Sequence, residues 1–579
     1  MNRKHLSRLL ASVLCFTALA GCTRPSSDKD PASKKEHKSA LHDNVSDQIP
    51  ISGKPDKDQF IRTFANSQPT TIDPSKGSDL YGNTILYNTT EPLIRIQDKK
   101  DGKIGEISYL PAGAKSWDKS QDGKTYTFHL RKNFWHDGKP VTASDYAYGI
   151  RRSAAPETAC PYANLLFYIK NGEAVNTGKK DLGALGVKAL DDYTLEITLE
   201  HPTAYFIDIV TQRTYFPQRK DWVEKHGDSY STTPETLPQC GPFLLKDWTI
   251  NSEQNFVKNP DYWDADNIRL SRFHVAVIQE PNTVYQALKS GEIDFANVLD
   301  PKWKAQFFKS DAFYHVTCAN PDTAYFTINC QKNANLSNAK MRQAVSIALD
   351  RKELIDATMH GIPIPAYDFV PPTVSNLGLT FNKKGTGCVR ELSKDHPDPK
   401  ALFIEGLKEA GLSPDPADFK LHYLGSGTSQ NARLVSEFIK QNLEDVLGIT
   451  VDVKQMEWNQ FINAMHAHNY DLAHLAWSAD YNDPSNFLEI CYSKSSLHDS
   501  GYKNAAFDKL IEAAQKESDP KKRGKLLHDA EHIILYEDPA LIPVNHRVTH
   551  SFRKTYIRNV NISRFCTTGL RDAYTSGRK

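Results

Sequence analysis

The sequence predicts an α/β protein, and three observations carry that expectation. Between residues 419 and 478, strand-like and helix-like stretches alternate. Tyr126, Phe128 and Leu130 alternate with Thr127, His129 and Arg131, the period of a half-buried strand, and a helix start follows within twelve residues. Glycines and aspartates also stand where helices of that pattern need to begin and stop.

Taken in order, Phe60–Pro74 reads as a strand entering a turn at Asp73-Pro74, and residues 83–96 as a helix followed by the short strand Leu93-Ile94-Arg95-Ile96. Asp137-Gly138 makes a turn, and Thr142-Ala143-Ser144-Asp145 is a capping box opening a helix through Arg152. Gly291 ends a helix and precedes a strand over Ile293–Val298; Asp350 caps a helix that Gly361 ends. Phe419–Leu424 is a strand, Gln430–Val446 an amphipathic helix, Ile449–Met456 a strand and Trp458–His468 a helix. The next strand carries Leu472, His474 and Ala476 on one face and Ala473, Leu475 and Trp477 on the other. Such a β-α-β-α-β run implies parallel strands joined by helical crossovers. The last strand breaks at Ala479-Asp480-Tyr481-Asn482-Asp483-Pro484, which places the Asp480 carboxylate at a strand mouth, where open α/β sheets hold ligands. The plainer reading is that Asp480 caps the next helix.

The first 22 residues have a basic start (Arg3, Lys4, Arg8), a short apolar run and the ending Leu19-Ala20-Gly21-Cys22. They predict a lipoprotein signal peptide, with Cys22 as the lipidated residue; cleavage and release is the alternative. Residues 23–57 are rich in Ser, Lys, Asp and Pro and read as a disordered tether. Removing residues 1–21 takes away three positive charges and no acids, so the formal charge goes from +1 to −2, which argues against nucleic acid as a partner. Beyond Cys15 and Cys22 there are seven cysteines, at 160, 240, 318, 330, 388, 491 and 566. No pair has CxxC spacing, so no zinc site is expected from them, and disulfide connectivity stays open.

Several motifs in one order resemble the bacterial extracellular solute-binding proteins of the peptide and nickel family, receptors of ABC importers. They are Thr71-Ile72-Asp73-Pro74, the segment Lys124–Ser153, the segment Cys240–Trp248 and Asn259-Pro260-Asp261-Tyr262-Trp263. Ser290–Asp294, Arg342–Arg351, Glu457-Trp458 and Trp477–Pro484 continue the series, and WSADYNDP resembles the oligopeptide-binding branch. The resemblance implies a two-lobed, periplasmic-binding-protein-like (type II) fold with an extra domain beside the first lobe. Its borders, laid on this chain, put lobe one at 58–100, 216–321 and 541–579, the extra domain at 101–215 and lobe two at 322–540.

It further implies a monomeric, lipid-anchored extracytoplasmic receptor that delivers short peptides to a permease, with no cofactor and no catalysis. Asp480 would pair with the peptide's α-amino group, and Ala476, Trp477 and Ser478 would offer main-chain groups to an extended ligand. Ser78 to Leu80 would flank the other side. Trp458 and Tyr325 fall at positions that line the cleft in the family, with core packing as the alternative for each. This chain has Ser478 where relatives often carry a disulfide cysteine. Met465 and His474 stand where some relatives have basic residues for the ligand carboxylate, so the resemblance carries no carboxylate anchor onto this chain. Cell-wall peptides or a metal chelate are the alternative ligands, the latter kept open by His466, His468 and His474 and by the pair His528 and His532. No HExxH, GxSxG or P-loop pattern occurs; His528–His532 lacks glutamate after its first histidine. Gly425–Ser429 is a loop before a helix that could bind an anion or simply turn.

Overall fold

The structure, a computed structural model, describes residues 52–69, 71–100, 103–331, 335–382, 387–495, 500–562 and 568–578. Cys22, the tether up to residue 51 and Cys566 lie outside the described residues.

Strand β1 (Phe60–Ala65) precedes helix α1 (Leu80–Thr89). In β2 (Thr125–Leu130) every second residue is buried, as its period of two predicts. Helix α2 (Ala143–Ala154) starts where the capping box placed it, with the Asp145 carboxylate accepting the Thr142 N–H at 2.8 Å. β2 lies in a four-stranded sheet with Ala114–Lys119, Thr194–Thr198 and Val187–Asp191, and Phe128, Leu130, Tyr146 and Ile150 join one core between this sheet and α2. β3 (Arg272–Val277) pairs in parallel with β1. Helix α3 (Pro281–Ser290) stops at Gly291, whose φ of +86° is the left-handed cap conformation. The strand after it, β4 (Phe295–Asn297), is shorter than predicted because its ladder spans only those three residues. The sequence motif around Cys240 has a packing reason: a Cβ on Gly241 would stand 2.5 Å from the main chain of Thr89.

Two strands, β5 (Phe313–Ala319) and β6 (Asp322–Ile328), are separated only by Asn320-Pro321. Helix α4 (Arg351–Thr358) begins under Asp350, whose carboxylate accepts the Glu353 N–H at 2.9 Å; it ends three residues before Gly361. Then come β7 (Lys420–Ser426), α5 (Gln430–Leu447), β8 (Thr450–Met456), α6 (Trp458–His466) and β9 (Leu472–Ser478). Helix α7 (Pro520–His532), β10 (Leu541–His546) and β11 (Val548–Lys554) follow.

A six-stranded sheet runs in the order Ile364–Pro365, β10, β6, β9, β7, β8. β7 is parallel to both β8 and β9, as the alternating pattern predicts, while β6 is antiparallel to β9 and β10. α5 buries Val435, Ile439, Leu443 and Leu447, four apart, against the sheet. α6 ends two residues early, since the chain reverses at His468 with a φ of +53°. β5 and β11 pair in a separate three-stranded sheet, so two adjacent antiparallel chains pass between the sheets, one through Asn320-Pro321 and one through Arg547. Cys160, Cys240, Cys330, Cys388 and Cys491 are free thiols. No described helix is long and apolar enough to cross a membrane.

Candidate binding site at the end of the parallel strands

The carboxyl ends of β7, β8 and β9 bring together the 425–429 loop, Glu457-Trp458 and Ser478–Asp480, all flagged in the sequence. β9 is unusual for an inner strand. β7 pairs with it only at Leu472 and Ala473, while β6 stays paired along its whole length to Ser478. From His474 to Ser478, therefore, one edge of β9 carries no ladder among the described residues, and Ala476 and Ser478 are exposed. A strand edge of this kind can pair with an extended chain.

Asp480 stands half-buried at the end of that edge. It does not cap the following helix. That helix, Ser485–Leu488, starts from Pro484 with no side-chain cap, while the Asp483 carboxylate accepts the Ser485 N–H at 2.9 Å and is held by Arg523 through two bonds of 2.7 and 2.8 Å, both side chains fully buried. The Asp480 carboxylate meets only the Asn486 amide, 3.5 Å away, and no basic side chain pairs with it among the described residues. Burial pushes its carboxyl up to about 6. Its main chain is fixed instead: Asn486 Oδ1 accepts the Asp480 N–H at 3.2 Å and the Trp477 indole N–H at 2.9 Å. Gln212 donates its amide N–H to the Asp480 carbonyl at 2.6 Å. Tyr205 stacks on Tyr481 with centroids 5.7 Å apart, and Tyr481 and Tyr168 share a hydroxyl contact of 3.2 Å.

Across from it, the loop from Asp73 to Leu80 is clamped by two arginines. Arg152 of α2 binds both Asp73 oxygens at 2.7 Å, so two motifs of the sequence meet in one ion pair. Arg213 donates to the carbonyls of Asp73 and Pro74, and a Cβ on Gly77 would stand 2.2 Å from its Nη2. Ser78 and Leu80 are left exposed, and the Tyr162 hydroxyl donates to the Ser78 carbonyl at 3.4 Å. Burial first, then the Asp480 charge, raises the Tyr162 phenol.

The remaining candidates divide. Trp458 is 57% exposed at the first turn of α6 and, among the described residues, stacks on Phe461 alone, so core packing does not account for it. Tyr325 is 5% exposed with its ring against Phe369, and packing does account for that ring. Met465 is buried among Leu424, Phe461 and Tyr470. His474 is brought down to about 4 by burial and stays neutral. Neither supplies a cation for a ligand carboxylate. Gly425 and Ser426 close β7 and 427–429 connect it to α5: Gln455 and Met456 take the polar main chain there, Ser429 caps α5, and Glu457 lies against Thr428. His528 stacks on Phe381 at 4.0 Å, and no group of three potential metal ligands forms among the described residues. Tyr162, Gln212 and Asn486 were not singled out by the sequence. The first two lie roughly 270 to 320 positions from Asp480, so no local pattern could reveal them.

The chain was compared with known proteins. The description "Bacterial extracellular solute-binding proteins, family 5 Middle" matches residues 108–499. The oligopeptide-binding protein OppA of Bacillus subtilis is 31% identical over 536 residues, covering 90% of this chain and 94% of that one. The probable deoxycholate-binding periplasmic protein YgiS of Escherichia coli is 32% identical over 86% of this chain and 90% of its own. Listeria monocytogenes OppA bound to peptide superposes with a TM-score of 0.71 at 30% identity, covering 90% of this chain and all of that one. The two-lobed type II α/β fold expected from the motifs is therefore the fold of this chain, which belongs to family 5 of the bacterial extracellular solute-binding proteins, in its oligopeptide-binding branch.

Proposed function

We propose that this protein is the extracytoplasmic receptor of an ABC importer, binding short peptides between its lobes and handing them to a permease. The observation that carries the reading is the unpaired edge of β9 ending at Asp480, a carboxylate with no basic partner among the described residues. An extended peptide would add to that edge through its main chain, and its α-ammonium would complete Asp480. Main-chain pairing ignores side-chain identity, so tolerance of sequence follows. Ser78 and Leu80 would close over the opposite side and Trp458 would meet ligand side chains. Lobe one at 58–100, 216–321 and 541–579, an extra domain at 101–215 and lobe two at 322–540 complete the proposal, with Cys22 carrying a lipid anchor.

Mass spectrometry of ligand co-purified with the untagged mature protein tests this reading. Short peptides with free amino termini support it, and muropeptides among them identify cell-wall cargo. A metal chelate or a bile acid as the bound species overturns it.

A further inference from the structure

We propose that Arg547 is a specificity-determining residue that selects an acidic side chain within the first three positions of the ligand; this rests on the cleft being a peptide site. Arg547 is the break between β10 and β11, where one of the two chains passes between the sheets. Its neighbours His546 and Val548 are 4% exposed, whereas its own side chain is 51% exposed. Register explains where it stands. Asn545 pairs with Ala324, Ala324 with Ala476, and Asp322 with Ser478, so a residue two beyond Asn545 falls on the face shared by the exposed Ala476 and Ser478.

The guanidinium is fixed before any ligand arrives. Asp322, whose side chain is 4% exposed, accepts the Arg547 main-chain N–H at 3.0 Å on one oxygen and lies 2.8 Å from Arg547 Nε through the other. Arg547 Nη2 donates to Ser478 Oγ at 3.1 Å, and Nη1 has no partner among the described residues. The Asp322 contact orients the fork through Nε and leaves the outer edge, Nη1 and Nη2, for a second carboxylate. That end-on arrangement suits bidentate recognition. A side chain already held loses little conformational entropy on binding. β9 carries no Arg or Lys, and its one histidine, His474, is half-buried and stays neutral, so no cation of this strand competes there. Ser478 lies two residues from Asp480, so a ligand whose amine sits at Asp480 presents one of its first side chains here.

Calorimetry with tetrapeptides carrying Glu or Gln at position one, two or three tests the proposal. In the wild type, Glu should bind about tenfold more tightly than Gln at one of those positions. In Arg547→Gln that ratio should fall toward one, and Arg547→Lys should keep part of it. The loss of affinity on N-acetylation, read in the same variants, reports separately on the Asp480 end and shows that the cleft is intact. Equal binding of Glu and Gln peptides at all three positions in the wild type overturns the proposal, as does a Glu preference that survives in Arg547→Gln. Failure of every peptide to bind overturns the peptide reading together with it.

Discussion

Asp480→Asn is the most direct perturbation of the site. The substitution keeps the shape of the side chain and its amide contact with Asn486, which at 3.5 Å contributes little. The main-chain supports from Gln212 and Asn486 do not depend on the carboxylate, so the loop should stay where it is. What is lost is the charge. An α-ammonium enclosed beside residue 480 would then be a buried cation without its partner, a loss of about 3–5 kcal/mol. In affinity that is roughly a few hundred-fold or more. Calorimetry with one tetrapeptide and its N-acetylated form separates this from general damage. Acetylation should weaken wild-type binding strongly and should add little further loss in Asp480→Asn, because the same interaction is already missing. Acetylation that leaves wild-type binding unchanged would refute the reasoning, and Asp480 would then not be the amine anchor.

Further outcomes follow from the same geometry. Burial holds the Asp480 carboxyl at about 6 against an ordinary 3.8, so in the free protein the cost of its charge is absent in acid and complete above about pH 6. An ammonium ligand needs the ionised form. Peptide affinity should therefore fall below pH 6, by about tenfold at pH 5, with proton release on binding there, and Asp480→Asn should flatten the profile; an unchanged affinity from pH 7 to 5 contradicts this. Asp483→Asn leaves the fully buried Arg523 with one partner fewer, and equilibrium denaturation should show a loss of about 3–5 kcal/mol, whereas a change under 1 kcal/mol would contradict the structural role given to the pair. Cys22→Ala should abolish lipid labelling in a bacterial host, and labelling that persists excludes Cys22 as the anchor.

The fold was legible where local rules decide it. The capping box at Thr142, the alternation in β2 and the stop at Gly291 are each set by a handful of adjacent residues, and each stands where the sequence put it. Boundaries shifted where a neighbour intervened: β4 is cut short by its three-residue ladder and α6 by the reversal at His468. The parallel run from β7 to β9 was readable because helices of fitting length separate its strands. The antiparallel insertion of β6 beside β9 was not, since those partners are some 150 residues apart and nothing local announces the pairing.

The site divides along the same line, and the division explains its chemistry. Asp480 was visible because a strand, a break and a carboxylate fall within nine residues. Its near neighbour Asp483 looks equivalent in sequence, yet the fold gives it Arg523 and the Ser485 N–H, while Asp480 receives no basic partner among the described residues. Sequence alone cannot tell those two aspartates apart, because what differs is a guanidinium 40 positions away. The same holds for Arg547, which reads as an ordinary residue between strands until register sets it beside Ser478. A carboxylate completed inside the protein is structure; one left incomplete at the end of an open strand edge waits for a cation. On the proposed reading, Arg523 completes Asp483 and Asp480 is the carboxylate left for the ligand's ammonium.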